Sequence, residues 1–549
     1  MPSYRRYKAD EVRRILLEDS CSDDESMSDV EPSDVSSGDE AGVEITQLRK
    51  QQVSENAGNQ SQSVSECSSN SNSDADSDKN TMTRPTAVTG RDRGKRGQAV
   101  LRSCTPVTSK SNAIDKYVAK TGREWSTNPP PPTKRSSQNI IRFHPGVKPE
   151  ATFESPEEAF FLIFTDEIIL KVLHHSNMKL RNAVEEWNAK NPCHKRKYVA
   201  HTEDELKAFL GLLFLRGLLR GQHESVQDLW KNDYCSRPIF KAVMSRSSFK
   251  EWLSILRFDD KSDRDERKLH DKLAAVREVW DLFNDQLSRL WEPGYHVTID
   301  EQLVTFRGRV GFRIYNKSKP GRYGFLIRWL CDSEKRYAVK GIPYCGVPAY
   351  GTEMVKEQNK SSNIVKNLVE MLRGSGRGIT CDRFYTEIDI AAELYKEYNL
   401  TMTGTLQANR RHIPEELKST KGRQPTSSVF CFNDMTTLVS YCPKKNRNVI
   451  LLSTEHHDNS VDQQDHHKPD IIMHYNRMKF GVDTVDQMAR TYSTKVASRR
   501  WPFVFFCNML DIGALNAFTM FVNKFPDWKS KPFEVCKHSD CILYELYCL

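Results

Sequence analysis

The sequence lacks the long apolar runs that mark membrane and secretory segments. No window holds about 18 consecutive apolar residues, so we expect no transmembrane helix and no membrane partner. The first 17 residues carry five Lys and Arg but no apolar stretch, so they do not resemble a secretory signal. The 14 cysteines are scattered rather than grouped in a dense framework, which favours a reduced, intracellular protein over a secreted one.

Charge is distributed unevenly along the 549 residues. The whole chain carries a net charge of +8, but residues 1–80 hold 18 acidic against 8 basic residues, a net of −10. The rest of the chain therefore carries a net of +18. Such an excess suits a polyanion, because each neutralised phosphate releases counterions. On charge alone, a basic surface that serves only solubility fits equally well.

Residues 1–137 have the composition of a disordered region, acidic at first and basic later. Ser20–Glu44 and Asn56–Asn80 are rich in small polar and acidic residues, and they hold too little apolar surface to offset the entropy of ordering. Arg91, Arg93, Lys95 and Arg96 then form a basic cluster. We interpret it as a nuclear address or a DNA-binding arm, with a solvated linker as the alternative, and we expect a nuclear location.

The first folded stretch reads as a helical unit over about 153–292. Ser155-Pro156-Glu157-Glu158 and Thr202-Glu203-Asp204-Glu205 are typical of helix starts, with a hydroxyl cap and an acidic residue three positions later. Apolar residues then recur at helical spacing. Pro293-Gly294 is predicted to end the unit.

From Tyr295 onward the pattern changes to alternating strands and helices. Strands are predicted at 295–303, 323–331, 336–341, 378–381 and 400–405, and helices at 363–372 and 386–398. The stretch 407–470 is irregular apart from probable strands at 428–432, 437–441 and 449–453. Helix resumes around 483–488 and from 503 to 522. This mixture indicates an α/β sheet domain.

Four aspartates stand at positions that favour chemistry over packing. Asp300 lies inside a predicted strand, Asp382 ends another, and Asp483 and Asp486 share one face of a helix. Carboxylates that converge from two strands and a helix provide the oxygen ligands that Mg²⁺ prefers, and such ions assist phosphodiester displacement. Taken one at a time, the same residues are also typical of turns and helix first turns.

Several long motifs, in order, resemble the piggyBac transposase family. They are HVTIDEQLVTFRGR (296–309), SKPGRYGFLIRWLCDS (318–333), GITCDRFYTE (378–387), LVSY (438–441), HYNRMKFGVDTVDQMARTY (474–492) and SRRWPFVFFCNMLDIGALNAF (498–518). The resemblance covers about residues 150–525. By motif position, Asp300 and Asp382 match the first two catalytic aspartates, and Asp483 and Asp486 match the closing pair.

The resemblance implies an RNase H-like α/β catalytic domain combined with a split all-helical dimerisation and DNA-binding domain. The helical domain would comprise 150–293 and 493–525, and the catalytic domain 294–406 and 468–492. An insertion domain would occupy 407–467. Residues 526–549 are expected to be a divergent or truncated end, because the cysteine-rich, zinc-binding module with which family members commonly finish is not recognisable there.

The implied activity is metal-dependent nicking of transposon ends, hairpin formation and insertion at TTAA sites. The implied cofactor is Mg²⁺, as two ions bound by Asp300, Asp382, Asp483 and Asp486, and the implied partners are double-stranded DNA and a second copy of the chain. The alternative is a domesticated DNA- or chromatin-binding protein without transposition activity. Basic and aromatic residues near the carboxylates are expected to hold DNA, although a solvated charged face, with Trp501 in the core, is the alternative. They are Arg307, Arg309, Arg313, Lys317, Lys319, Arg322, Arg499, Arg500 and Trp501.

Two other clusters suggest metal binding but lack supporting structure. The stretch 455–470, EHHDNSVDQQDHHKPD, has no periodic apolar anchors that would fix ligand geometry. Cys536, His538, Cys541 and Cys548 contain no CxxC pair. We therefore expect no structural zinc.

Overall fold

The computed structural model of the chain describes residues 115–131, 144–232, 237–346, 352–433 and 435–528. The acidic segments, the basic cluster at 91–96 and the cysteine-bearing tail lie outside the described residues. Expectations about those segments therefore stay predictions.

Helices fill most of residues 150–292, as the apolar spacing predicts. They are α1 Pro156–Ile163, α2 Asp166–Lys190, α3 Glu203–Leu218, α4 Val226–Leu229, α5 Pro238–Val243, α6 Arg246–Ile255, α7 Arg264–His270 and α8 Arg277–Leu290. Both predicted helix starts are confirmed. The Ser155 hydroxyl accepts a hydrogen bond from the Glu158 N–H at 3.0 Å, and Thr202 and Glu205 cap each other reciprocally. These caps satisfy N–H groups that no earlier helical turn can reach.

The later helices lie between or after the strands of the sheet. They are α9 Thr352–Gln358, α10 Ser361–Val369, α11 Ile388–Glu397, α12 Glu415–Lys418, α13 Asp470–Met478, α14 Gly481–Thr491 and α15 Trp501–Lys524. The predicted helix at 363–372 corresponds to α10 and a short 3₁₀ turn, Glu370–Leu372.

A mixed sheet forms the centre of the described fold. Its strands are β1 Lys116–Val118, β2 Glu124–Ser126, β5 His296–Thr305, β6 Ile314–Tyr315, β7 Tyr323–Asp332, β8 Ala338–Pro343, β9 Gly378–Cys381, β10 Thr401–Leu406, β11 Ser427–Asn433, β12 Thr436–Lys444 and β13 Arg447–Ser453. A separate pair joins β3 Gly146–Val147 to β4 Trp291–Glu292.

The strand order places β5 and β9 side by side within the sheet. The order is β1-β2-β11-β12-β13-β10-β9-β5-β7-β6, with β8 also paired to β7. Strands β5 and β10 both run parallel to β9, whereas β5 and β7 are antiparallel. A mixed sheet flanked by helices agrees with the expected α/β class.

Residues 115–131 correct the prediction that the chain is disordered up to residue 137. Here β1 and β2 form a hairpin that pairs with β11 at one end of the sheet. Trp125 is 1% exposed, and its indole N–H donates to the carbonyl of His412 at 3.2 Å. One large buried ring thus anchors a short segment whose composition is otherwise polar.

Helix α15 runs through the core and connects the two helical stretches. It packs against α1, α8 and α14. Its length and apolar composition would suffice to cross a membrane, but 83% of its most apolar stretch is buried inside the fold, as expected of a core helix. The contact of α15 with α1 brings distant sequence together, while the division into split helical, catalytic and insertion domains stays a prediction.

Candidate carboxylate site and nucleic-acid interface

Asp300 on β5 and Asp382, directly after β9, lie at the same level of two neighbouring parallel strands. Ile299 of β5 stands opposite Cys381 of β9, and an aspartate follows each of them. The side chain of Asp300 accepts a hydrogen bond from the N–H of Glu301 at 2.7 Å, and that of Asp382 accepts one from Phe384 at 2.8 Å. Parallel pairing thus brings together two residues that are 82 positions apart in the sequence.

Helix α14 carries the other two aspartates to this part of the sheet. It packs against β5 and β7, and a Cβ on its first residue, Gly481, would come within 2.4 Å of the Thr298 side chain. That close approach requires glycine. Asp483 is exposed, whereas Asp486 is 3% exposed and pairs with Arg490 at 3.1 Å.

Lys319, which the sequence analysis expected to contact DNA, lies among these carboxylates. Its Nζ is 3.2 Å from Asp483 Oδ1, and its charge also acts on Asp300, Asp382 and Asp486. Burial disfavours the ammonium form, but the carboxylates outweigh it and raise the pKa of Lys319. One side-chain cation therefore connects all four aspartates electrostatically.

Burial shifts the acidities of the carboxyl groups. It raises the pKa of Asp300 to about 7, with a further contribution from the charge of Asp483. The pKa values of Asp382 and Asp486 are also raised, mainly by burial. Removal from water disfavours each negative charge, so the site favours a compensating cation.

Glu301 is a fifth acidic group that the sequence analysis did not select. Burial and the charge of Asp382 raise its pKa, and its carboxylate accepts a hydrogen bond from the Tyr385 hydroxyl at 2.9 Å. Its position beside Asp300 in the motif was the available signal. Glu301 was not selected because neighbouring residues of a strand point to opposite faces of the sheet, so Glu301 and Asp300 are not expected to share a face. The contact between Glu301 and Tyr385, far along the chain, cannot be predicted from sequence spacing.

The donor set fits a divalent cation that prefers oxygen. Carboxylates from two strands and one helix converge, and the buried Asp486 Oδ1 has no hydrogen-bond partner among the described residues. A buried acceptor without a donor is costly, and Mg²⁺ or Mn²⁺ would satisfy it. Lys319 Nζ supplies positive charge at the place where such a cation would be needed.

Five of the predicted DNA-contacting residues are exposed. They are Arg307, Arg309, Lys317, Arg322 and Arg499. A Cβ on Gly308 would lie 3.1 Å from the carbonyl oxygen of Arg499, so the loop that carries Arg307 and Arg309 lies against the segment before α15. Arg313 is half-buried and donates to the carbonyls of Arg307 and Gly308, which braces that loop.

Arg500 and Trp501, which the sequence analysis expected to hold DNA with Trp501 in the core as the alternative, both make contacts within the fold. The Arg500 guanidinium donates to the carbonyls of Leu253, Ser254 and Leu256 at the end of α6, groups that have no helical partner. Trp501 is half-buried, with its ring centroid 5.1 Å from that of Phe312 and 6.2 Å from that of Phe325. Adjacent basic and aromatic residues in a sequence do not reveal which of them face inward.

A second titratable cluster lies at the start of β5, away from Asp300. His296, Glu455 and His474 place their ligand atoms within 4.8 Å of one another. Burial and the neighbouring histidines lower the pKa of His474 to about 3, so its ring is neutral. The sequence analysis did not connect these three residues, because they lie far apart along the chain.

Comparison with known proteins places this architecture among transposases. A family model described as "Transposase IS4" matches residues 155–518. The chain is similar to a solved structure titled "Cryo-EM structure of piggyBac transposase synaptic complex with hairpin DNA", with 35% identity and a TM-score of 0.67, over 74% of this chain and 82% of that one.

Two human proteins are more distant relatives. They are "PiggyBac transposable element-derived protein 3" and "Chimeric ERCC6-PGBD3 protein", each 21% identical over 362 residues and 63% of this chain. The chain spans 58% of the length of the first and 32% of the second.

Proposed function

Because the chain belongs to the piggyBac transposase family, we propose that it is a DNA transposase whose active site is built on Asp300, Asp382, Asp483 and Asp486. The observation that carries this proposal is the convergence of these four carboxylates around Lys319. Carboxylates that are removed from water destabilise the fold unless a cation compensates their charge.

In this proposal Asp300, Asp382, Asp483 and Asp486 hold two Mg²⁺ ions, which would stabilise charge on the attacking and leaving oxygens of a phosphodiester. Asp300 must lose its proton to act as a ligand, and its pKa near 7 makes that loss sensitive to pH in the physiological range. Without an ion, Lys319 Nζ pairs with Asp483. When an ion binds the carboxylates, Lys319 would be released to contact a DNA phosphate.

The exposed arginines and lysine would hold the DNA backbone beside the carboxylates. Arg307 and Arg309 lie on one loop, next to Arg499. Hydrogen bonds from Arg313 and the ring contact between Phe312 and Trp501 hold this loop in place. Guanidinium groups suit phosphate oxygens, and contacts of this kind position a duplex without reading its sequence. Bracing by buried groups keeps the loop in place before DNA arrives.

The remaining parts of the proposal follow from family membership. Nicking would expose a 3′-hydroxyl that attacks the opposite strand to form a hairpin, and insertion would occur at TTAA sites. The protein would act in the nucleus as a homodimer on double-stranded DNA. The relation to a structure titled as a transposase complex with hairpin DNA supports DNA as the partner.

A second candidate is a domesticated DNA-binding protein that no longer transposes. It is favoured by the similarity to a human protein named as transposable element-derived. Both candidates need the basic surface, but only the transposase needs the carboxylates. Substitution of the aspartates therefore distinguishes them.

Nicking and binding of the same labelled duplex test the proposal. The duplex carries TTAA-flanked candidate ends, and reactions contain Mg²⁺ or EDTA. We expect Mg²⁺-dependent nicking by the wild type, none by Asp300→Asn or Asp382→Asn, and unchanged DNA binding by both variants. Asp285→Asn on α8 is the matched control, because Asp285 is exposed and outside the site. Binding without nicking by the wild type would overturn the transposase assignment and favour the domesticated protein.

A further inference from the structure

The buried cluster of His296, Glu455 and His474 joins three parts of the fold. His296 begins β5, Glu455 follows β13, and His474 lies on α13. The cluster also borders β9, because a Cβ on Gly378 would lie 2.8 Å from His296 Nδ1 and 2.9 Å from Glu455 Oε2. Any side chain at position 378 would displace both groups, so glycine keeps the space in which they meet.

The separations within the cluster suit ligands of one ion better than direct hydrogen bonds. Glu455 Oε1 is 3.9 Å from His296 Nε2, and Glu455 Oε2 is 3.8 Å from His474 Nε2. A hydrogen bond would bring these atoms to about 2.7–3.2 Å. Ligands about 2.0–2.1 Å from a tetrahedral ion would lie roughly 3.4 Å apart. The ligand atoms of this cluster all lie within 4.8 Å of one another, so they would draw closer together on binding an ion.

His474 supplies an independent sign that something is bound there. The residue is 5% exposed, and its Nε2 has no hydrogen-bond partner among the described residues, although it faces the Glu455 carboxylate. We propose that His296, Glu455 and His474 bind a transition-metal ion of the Zn²⁺ class, at a site separate from the aspartates. Imidazole nitrogens favour Zn²⁺ over Mg²⁺ or Ca²⁺, which prefer oxygen ligands.

The position of the site indicates what the ion would do. His296 and Asp300 are four residues apart on β5, roughly 13 Å at about 3.3 Å per residue, so the ion would not touch the phosphodiester. Helix α13 ends at Met478, and α14 starts at Gly481. An ion that ties α13 to the starts of β5 and β9 would therefore fix α14, which carries Asp483 and Asp486. His296, Glu455 and His474 are positioning residues in this account.

This inference departs from the expectation that the chain holds no structural zinc. The expectation rested on the irregular stretch at 455–470, which on its own cannot fix ligand geometry. In the fold that stretch contributes Glu455, while a strand and a helix supply the two histidines. His456 lies close by, with its ring centroid 4.9 Å from that of His474, and its Nδ1 shares a 2.9 Å hydrogen bond with Ser453.

The proposal is tested on the full-length protein with Zn²⁺ and Co²⁺ as probes. The chelator-stripped protein is dialysed against trace Zn²⁺ in excess Mg²⁺, and bound zinc is measured by elemental analysis. We expect one equivalent of zinc that is lost in both His474→Gln and Glu455→Gln, with affinity at least about 100-fold weaker. Co²⁺ should give the visible absorption of a tetrahedral site that lacks a thiolate charge-transfer band. Zinc should also raise the melting temperature of the wild type but not of the variants.

Two controls separate this site from other zinc ligands. A His466→Gln/His467→Gln double variant removes exposed histidines of the same stretch, and Cys536→Ser/Cys541→Ser removes tail cysteines. Both double variants should still bind one equivalent of zinc, and so should Asp300→Asn. If the zinc is lost with the cysteines, or if the wild type binds none, the proposal is wrong. DNA nicking plays no part in the readout, so the outcome is independent of the proposed transposase activity.

Discussion

The burial of Asp300 predicts that the protein without divalent metal loses stability as the pH rises. The pKa of this carboxyl is about 7 in the folded chain against 3.8 for an unperturbed aspartate. The folded state therefore holds a proton that the unfolded state releases between those values. The stability from that proton is fully present below about pH 4 and is lost as the pH passes through 7.

The size of the effect follows from the shift. Roughly three pKa units at 1.36 kcal/mol each give at most about 4 kcal/mol. Partial access of solvent reduces this contribution to about 2–4 kcal/mol, a large fraction of the stability of an ordinary domain. Asp300→Asn replaces the acid with a neutral amide of similar shape, so it should remove this part of the pH dependence.

Urea unfolding in EDTA at pH 5 and pH 8 measures the difference. We expect the wild type to lose about 1.5–2.5 kcal/mol more than Asp300→Asn between these two values, because part of the contribution is already lost between about pH 4 and pH 5. Asp285→Asn should follow the wild type, because its side chain is exposed on α8. If Asp300→Asn and the wild type lose the same free energy between pH 5 and pH 8, the burial argument for Asp300 is refuted.

Three further substitutions test other parts of the account. Arg500→Ala should lower the unfolding free energy by about 2 kcal/mol, because the Leu253 carbonyl loses its side-chain donor and the Ser254 and Leu256 carbonyls keep only the one from Arg257. Arg499→Ala should change it by less than about 0.5 kcal/mol in the same urea titration. Trp125→Ala should cost about 3 kcal/mol and release the first hairpin, which limited proteolysis would detect as new cleavage before residue 131. Lys319→Gln should tighten Mg²⁺ binding roughly fivefold in calorimetry, because an ion pair worth about 1 kcal/mol no longer competes, and unchanged or weaker binding would contradict the position assigned to Lys319.

Local patterns in the sequence predicted the elements well where turns and caps mark their ends. Strand β9 has the predicted bounds, and the caps at Ser155 and Thr202 form as expected. Trp125 was missed because its strand is short and lies in a polar stretch. Its burial depends on β11, some 300 residues later in the chain.

The site was predictable to the extent that it depends on motif position. The structure brings the four aspartates to one place, but the sequence did not reveal that Lys319 lies among them. Nor did it distinguish Arg499, which is exposed, from Arg500, whose guanidinium caps α6. Arg499 and Arg500 are adjacent residues before α15, so the difference between them depends on packing against the distant α6. His296, Glu455 and His474 come from distant parts of the chain, so their meeting depends on long-range packing that sequence spacing cannot predict.

A metal-specificity switch at Asp300 tests most directly whether this carboxylate holds the ion for DNA cleavage. Asp300→Cys exchanges an oxygen ligand for a thiolate, which binds Mg²⁺ poorly and softer metals such as Mn²⁺ or Cd²⁺ better. We predict that this variant binds the TTAA duplex normally, does not nick it in Mg²⁺, and regains nicking when Mn²⁺ or Cd²⁺ is added. Nicking in Mg²⁺ at the wild-type rate would contradict the claim that Asp300 binds the catalytic metal.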